Sequence, residues 1–272
     1  MSRMPEESQP FFHVLHFEQL DSTNAWLRKM AAGGVPEGTV IWADRQTAGR
    51  GRHGRAWYST GNWGLWFSMV LRPTFPSQNA GWLSIAAGVG VASSLHRLSG
   101  LGPESAVRPE LKWPNDVLLG GRKVCGILCE TSISGSALDW AVVGIGLNRL
   151  VPPEGFPEDI RLTAAALEEF VPESDMPSAQ ELVSSILAGV YGAYRRLSDG
   201  GADALRLQAE ALMGSMLGKE VSCATPAGTL SGIAMGLDSH GALVLRDARG
   251  VEFSVNAGDV SLGTGRFIQE EL

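Results

Sequence analysis

The stretch Gly49-Arg50-Gly51-Arg52-His53-Gly54-Arg55-Ala56-Trp57 sets three guanidiniums among three glycines, a mixture that neither packs into a core nor continues a strand. The chain must carry it as an exposed cationic loop. Glycine lets the backbone turn tightly and bring bare N–H groups close to an anion, while the planar fork of arginine grips carboxylate or phosphate oxygens in pairs. The loop therefore reads as an anion clamp that closes over a ligand. Gly49-x-Gly51-x-x-Gly54 also fits the dinucleotide-binding pattern, but no helical period follows it, and no acid occurs between Arg45 and Pro103 to hold a ribose. That acid-free span holds six arginines in a chain of net charge −7, so a local positive field sits inside an acidic protein. Such a field focuses small anions and does not suit a long polyanion.

With 272 residues, 44% hydrophobic and 19% charged, the chain can bury one large domain and a small one. Its apolar runs are broken well short of a membrane span, and Met1 to Pro10 lacks the basic start and apolar centre of a signal peptide. A cytoplasmic protein, free of membrane, is expected. The three cysteines do not form a disulfide framework. Cys125 and Cys129 would lie about 13 Å apart along a strand, too far to bridge, and both read as small core residues.

A short strand is expected from Phe12 to Phe17, after a disordered start. Asp21-Ser22-Thr23-Asn24 then caps a helix that stops at Gly33-Gly34. Three hydrogen-bonding side chains in a row exceed what a cap needs, so either they cap alone or a surplus hydroxyl faces a ligand. Thr39 to Trp42 and Gly64 to Leu71 read as strands that carry the clamp loop between them. Gly81 to Leu98 reads as a close-packing helix of small residues. In Leu111 to Leu128, Pro114 ends one strand, Gly120-Gly121 makes a hairpin turn, and Lys112 and Lys123 are expected on neighbouring strands with Asn115 and Asp116 at the corner. Two cations and one carboxylate suit either phosphate neutralisation with Mg²⁺ on the acid, or a plain ion pair. Leu138 to Leu147 is an apolar strand ending in Gly144, Gly146 and Asn148, where a flat ring could lie on backbone and an amide read its edge, or the chain could simply turn. A helix is expected near Thr163 to Phe170, then helices over Ser178 to Leu197 and Ala202 to Met213, all as packing and connection. From Leu217 five short β runs separated by glycine indicate a compact barrel or sandwich that leans on the first domain.

An anion clamp with a two-lysine hairpin, and no nucleophilic triad, zinc set or Walker loop, suits binding a nucleoside triphosphate and letting a carboxylate attack its α-phosphate. Gly-Arg-Gly-Arg-x-Gly-Arg-x-Trp at 49–57, Lys-Trp-Pro-Asn-Asp at 112–116 and Lys-x-x-Gly-Ile-Leu at 123–128 resemble the biotin protein ligases, and the resemblance runs from about Phe12 to Gly-Asp-Val-Ser-Leu at 258–262. It implies an α+β catalytic domain (residues 12–215) with a central mixed sheet and flanking helices, of the class II aminoacyl-tRNA synthetase-like biotin/lipoate ligase type. A small SH3-like β-barrel (216–272) would follow, and residues 1–11 would be disordered.

The implied activity is formation of biotinyl-5′-AMP from biotin and ATP with Mg²⁺, then transfer of biotin to a lysine of a biotin carboxyl carrier domain. Ser22, Thr23 and Gln46, with Gly49 and Gly126, would bind biotin. Arg50, Arg52 and Arg55 would hold carboxylate and phosphates, and Lys123 with Arg52 would act in catalysis. Trp57 and Asn148 would meet adenine, Lys112 and Asn115 the phosphates, and Asp116 Mg²⁺. Too few residues precede the first strand for the DNA-binding module of some relatives, so an enzyme without nucleic-acid binding is expected. A homodimer stays open. The rival readings are a lipoate-attaching ligase and a biotin-responsive transcriptional regulator.

Overall fold

The computed structural model describes residues 11–226 and 228–262; the expected disordered start, apart from Phe11, and the last ten residues lie outside the described residues. Phe11 itself is held, its ring stacked on Tyr191 at 4.2 Å. Strands β1 (His13–Leu20), β2 (Thr39–Gln46), β3 (Gly64–Leu71), β4 (Glu110–Lys112), β5 (Asp116–Leu119), β6 (Arg122–Ser134) and β7 (Ala137–Asn148) form one sheet in the order β1-β2-β3-β7-β6-β5-β4. The β1–β2 pair is parallel, because helix α1 (Thr23–Ala32) crosses over between them; the other neighbours are antiparallel.

Side chains alternate between the two faces of a strand, and three strands use this to make unlike faces. Phe67, Met69 and Leu71 of β3, Cys125 and Ile127 of β6, and Val143, Ile145 and Leu147 of β7 point to one face. There they bury in a common core with residues of helices α2 (Gly81–Leu95) and α3 (Ala179–Ser198). On the other face, Val70 and Val142 join Ile41 and Ala43 beneath Leu27 and Ala31 of α1. Beside the start of α1 that face carries Ser68, Gly126, Gly144 and Gly146. Their small size leaves the sheet backbone as the floor of a cavity.

Helix α2 is buried nearly all round, and its small residues let α3 approach closely. A Cβ on Gly90 would stand 2.4 Å from Cα of Val190. The expected helix near Thr163 to Phe170 is instead one 3₁₀ turn, Leu167–Glu169. Extended pairing takes the residues before it: Lys123 N–H donates to Thr163 O and Ala165 N–H to Lys123 O, at 2.7 and 2.9 Å.

After helix α4 (Ala202–Ala211) come β8 (Glu220–Thr225), β9 (Gly228–Leu237), β10 (Leu243–Arg246), β11 (Glu252–Val255) and β12 (Asp259–Leu262), an antiparallel sheet in the order β11-β10-β9-β8-β12. The five expected β runs are all present. Val221, Leu243, Leu245 and Val260 share one core with Trp82, Val89, Trp113 and Met216. Trp82 and Trp113 donate their indole N–H to Ser239 O and Gly241 O, at 2.9 and 3.0 Å.

Because the contact at Gly90 is with backbone, it cannot relax by a rotamer change. Gly90→Ala is expected to destabilise the protein by about 1–3 kcal/mol, read as a lowered urea midpoint at unchanged m-value.

Candidate functional site

The clamp loop is a hairpin. Trp57 N–H donates to Gly49 O at 2.9 Å, Gly51 N–H to Arg55 O at 2.7 Å, and Arg50 bridges Ala56. Its tip is His53-Gly54, with φ of 56° and 75°, closed by Arg55 N–H to Arg52 O at 3.2 Å. Two successive positive φ values make the two-residue turn whose twist matches a hairpin, and histidine, with Asn and Asp, is among the side chains that enter this region more readily.

The flap is tied down at its far end. Arg52 Nη1 donates to Asn115 Oδ1 and Gly258 O, both at 3.1 Å, and Arg55 Nη2 pairs with Asp259 Oδ2 at 2.7 Å. Asp259 begins β12, so the second sheet reaches over the first domain's cavity. Its second oxygen stands 3.4 Å from Arg52.

Beneath the flap, a register row crosses the main sheet through Ala43, Trp66, Gly146, Gly126, Asp116 and Lys112. Lys112 and Lys123 are therefore not on neighbouring strands, as the sequence leads one to expect. Pro114 turns the chain, the Trp113–Pro114 bond being cis, and β5 runs between β4 and β6. Lys123 Nζ pairs with Asp116 Oδ1 at 2.7 Å and lies 4.9 Å from the centre of the Trp57 ring. Burial, together with the charge of Lys123, holds the Lys112 ammonium below its usual range, against the pull of Asp116. A polyanion brought to this corner would favour the charged form of Lys112.

The flat ring lying on the glycine strands is the protein's own. A Cβ on Gly146 would meet Trp57 Nε1 at 2.5 Å, and one on Gly126 would meet the same ring at 2.6 Å. Trp57 Nε1 is buried and has no hydrogen-bond acceptor. Asn148 is buried at the cavity edge and donates to Ala165 O at 3.0 Å.

At the opposite end the N-terminus of α1 contributes a polar pocket. Ser22 caps the helix by accepting from Ala25 N–H. Thr23 lies one residue inside, and its N–H donates to Gln46 Oε1 at 2.9 Å. Gln46 Nε2 donates to Ser59 Oγ at 3.1 Å. Capping thus uses one of the three polar side chains, and Thr23 and Asn24 turn inward.

These parts line one cavity of ≈ 520 Å³. Ser22, Thr23, Gln46 and Gly49 stand at one end, Arg50, Arg52, Arg55 and Trp57 form the lid, and Lys112, Asn115, Asp116, Lys123, Gly126 and Asn148 lie on the floor and far wall. Every site residue expected from sequence is brought together here. Reasoning from sequence missed the wall formed by Phe156, Pro157, Ile160 and Thr163, which read as a connector, and the flap ties of Asp259. No local signal marks the first, while Asp259 stood inside the Gly-Asp-Val-Ser-Leu motif. Among the described residues no three His, Cys, Asp or Glu side chains cluster as a metal cage.

The biotin/lipoate A/B protein ligase family model matches residues 16–148, and the biotin protein ligase C-terminal domain model residues 216–263. The chain is 36% identical over 246 residues to the biotin–[acetyl-CoA-carboxylase] ligase of Mycobacterium tuberculosis, covering 89% of this chain and 86% of that one. It is 31% identical over 251 residues to the bifunctional ligase/repressor BirA of Bacillus subtilis, covering 92% and 74% respectively. Among solved structures, the biotin protein ligase from Aquifex aeolicus in complex with biotin and ATP superposes with a TM-score of 0.75 at 29% identity, over 91% of this chain and 97% of that one.

The flap ties give a direct test. Asp259→Ala removes the carboxylate from Arg52 and Arg55, and without ligand trypsin should then cut after these arginines about threefold faster, as expected for loss of partly exposed ion pairs.

Proposed function

We propose, since the chain belongs to the biotin protein ligase family, that it uses ATP to activate biotin and passes the acyl group to a lysine of a biotin carboxyl carrier domain. The observation that carries this reading is the continuity of the cavity. A polar head pocket, a guanidinium lid and the ammonium of Lys123 all line this one space.

The ureido ring of biotin sits against Ser22, Thr23 and Gln46, with the chain of Gly49 and Gly126 beside it. Its carboxylate points toward Lys123, Arg50 and Arg52. ATP lies under the flap with its phosphates near Arg55, Lys112 and Asn115, and its adenine near Trp57 and Asn148. A carboxylate oxygen attacks the α-phosphorus, the bond to the bridging oxygen breaks, and pyrophosphate leaves with its electrons. The fixed cations stabilise charge that builds on the phosphoryl oxygens. The carrier's amine then attacks the acyl carbon, AMP leaves, and the amine gives up a proton. Until then the closed flap keeps water from the anhydride.

Mg²⁺ is held by one or two carboxylates plus substrate phosphates, and it usually keeps several waters. Asp116 fits that limited role, with Asn115 beside it; the ion would neutralise triphosphate charge. A buried, polar head pocket disfavours lipoate, whose dithiolane offers no partner for three hydrogen-bonding side chains. Among the described residues no helix is long and apolar enough to cross a membrane.

Pyrophosphate exchange into ATP that depends on biotin, with labelled biotin and lipoate compared for binding, tests the reading; exchange driven equally by lipoate would defeat it. Lys123→Ala should slow exchange by about two to three orders of magnitude while biotin still binds. Arg52→Gly cuts the ties to Asn115 and Gly258, and should let the anhydride escape, seen as biotin on lysines of bystander proteins.

A further inference from the structure

The head pocket is backed by a hydrogen-bonded chain whose direction can be read atom by atom. Arg28 Nη1 pairs with Glu130 Oε1 at 2.7 Å, and Glu130 Oε2 accepts from Asn24 Nδ2 at 2.9 Å. The same amide nitrogen donates to Leu128 O at 3.1 Å. With a carboxylate and a carbonyl as its partners, this end of Asn24 must be the nitrogen, so its other end is Oδ1, which only accepts. Ser68 Oγ stands 2.6 Å from Asn24 Oδ1 and 2.8 Å from Thr23 Oγ1, and Ser68 is fully buried. A hydroxyl has one proton, and Asn24 Oδ1 requires it. Toward Thr23, Ser68 can therefore only accept.

The Thr23 hydroxyl then has two acceptors within reach, Ser68 Oγ at 2.8 Å and Gln46 Oε1 at 3.2 Å. Gln46 Oε1 is identified independently, because it takes the Thr23 backbone N–H. Whichever acceptor Thr23 serves, its proton is spent inside the protein, and it offers the cavity lone pairs alone. Ser22 is the opposite case: its oxygen caps α1, so its proton is free to be donated.

We propose that Ser68 is a positioning residue that sets the polarity of the head pocket. By giving its proton to Asn24 it fixes Thr23 as an acceptor, so the pocket admits an N–H at that point and rejects an isosteric ring oxygen. Arg28 and Glu130 anchor the arrangement from the surface. Gly144 makes room for it, since a Cβ there would meet Asn24 Oδ1 at 2.0 Å. The inference rests on biotin as the ligand; it explains how this chain selects a ureido ring, through a residue that does not line the cavity.

The experiment compares biotin with its two cyclic-carbamate analogues, in which one or the other ureido N–H is replaced by oxygen, in the pyrophosphate-exchange reaction. The wild-type protein should favour biotin over the less favoured analogue by about a hundredfold, because an oxygen would face lone pairs and leave a buried acceptor unpaired. In Ser68→Ala the Thr23 hydroxyl loses its nearer acceptor and keeps only the longer contact to Gln46 Oε1 at 3.2 Å, from which it can turn to donate into the pocket. KM for biotin should rise about tenfold with kcat and KM for ATP unchanged, and the discrimination should fall at least fivefold. Equal loss for biotin and both analogues would overturn the proposal, since Ser68 would then only pack.

Thr23→Val reads the same polarity whether or not Ser68→Ala folds. It should weaken biotin about tenfold and leave that carbamate unaffected; equal weakening of both overturns the assignment. Wild-type protein that shows no exchange with biotin would remove the functional reading itself, and this proposal with it, before any variant is compared.

Discussion

A strand shows its side chains to two sides in turn, and the molecule is built on using those sides unequally. On β3, β6 and β7 the odd positions are bulky and anchor the sheet to α2 and α3. Among the even positions, Ser68, Gly126, Gly144 and Gly146 stay small beside the start of α1. Had Gly126, Gly144 or Gly146 carried side chains, Trp57 and Asn24 would have lost their places, and with them the seat of the lid and the backing of the head pocket. Core and cavity are thus two faces of one periodicity.

Charge is arranged with similar economy. Arg52 and Arg55 meet Asp259 and Asn115, and Lys123 meets Asp116, so the cations are already balanced before an anion arrives. Lys112 is half-buried, and the loss of solvent outweighs the pull of Asp116 on its ammonium. An incoming phosphate must displace short, partly solvated contacts, which individually stabilise little. The lid can therefore exchange its protein partners for an anion at little cost.

Much of this was legible in the residues. Strand β3 and all five runs of the second sheet follow from alternation and glycine punctuation, and the Gly120-Gly121 turn from its dipeptide. The spacing of arginine, lysine and glycine marked the clamp and the hairpin, while the roles of Ser22, Thr23 and Gln46 were implied by the resemblance to the biotin protein ligases. Other features depend on partners remote in sequence. The stretch at Thr163 has helical composition, yet it pairs with Lys123 and is extended. The flap hairpin was hidden because His53-Gly54 stands where Asn-Gly is the usual signal. Ser68 looks like any small strand residue until Asn24 and Thr23 are placed against it.

The indoles of Trp82 and Trp113 sit in one domain and spend their N–H groups on the backbone of the other. A knife passed between the two sheets would expose both rings and strand both donors, as well as halving a continuous core. The small sheet is accordingly no appendage to be shed or exchanged. A change of side-chain volume on one side of that core has to be accommodated by the other.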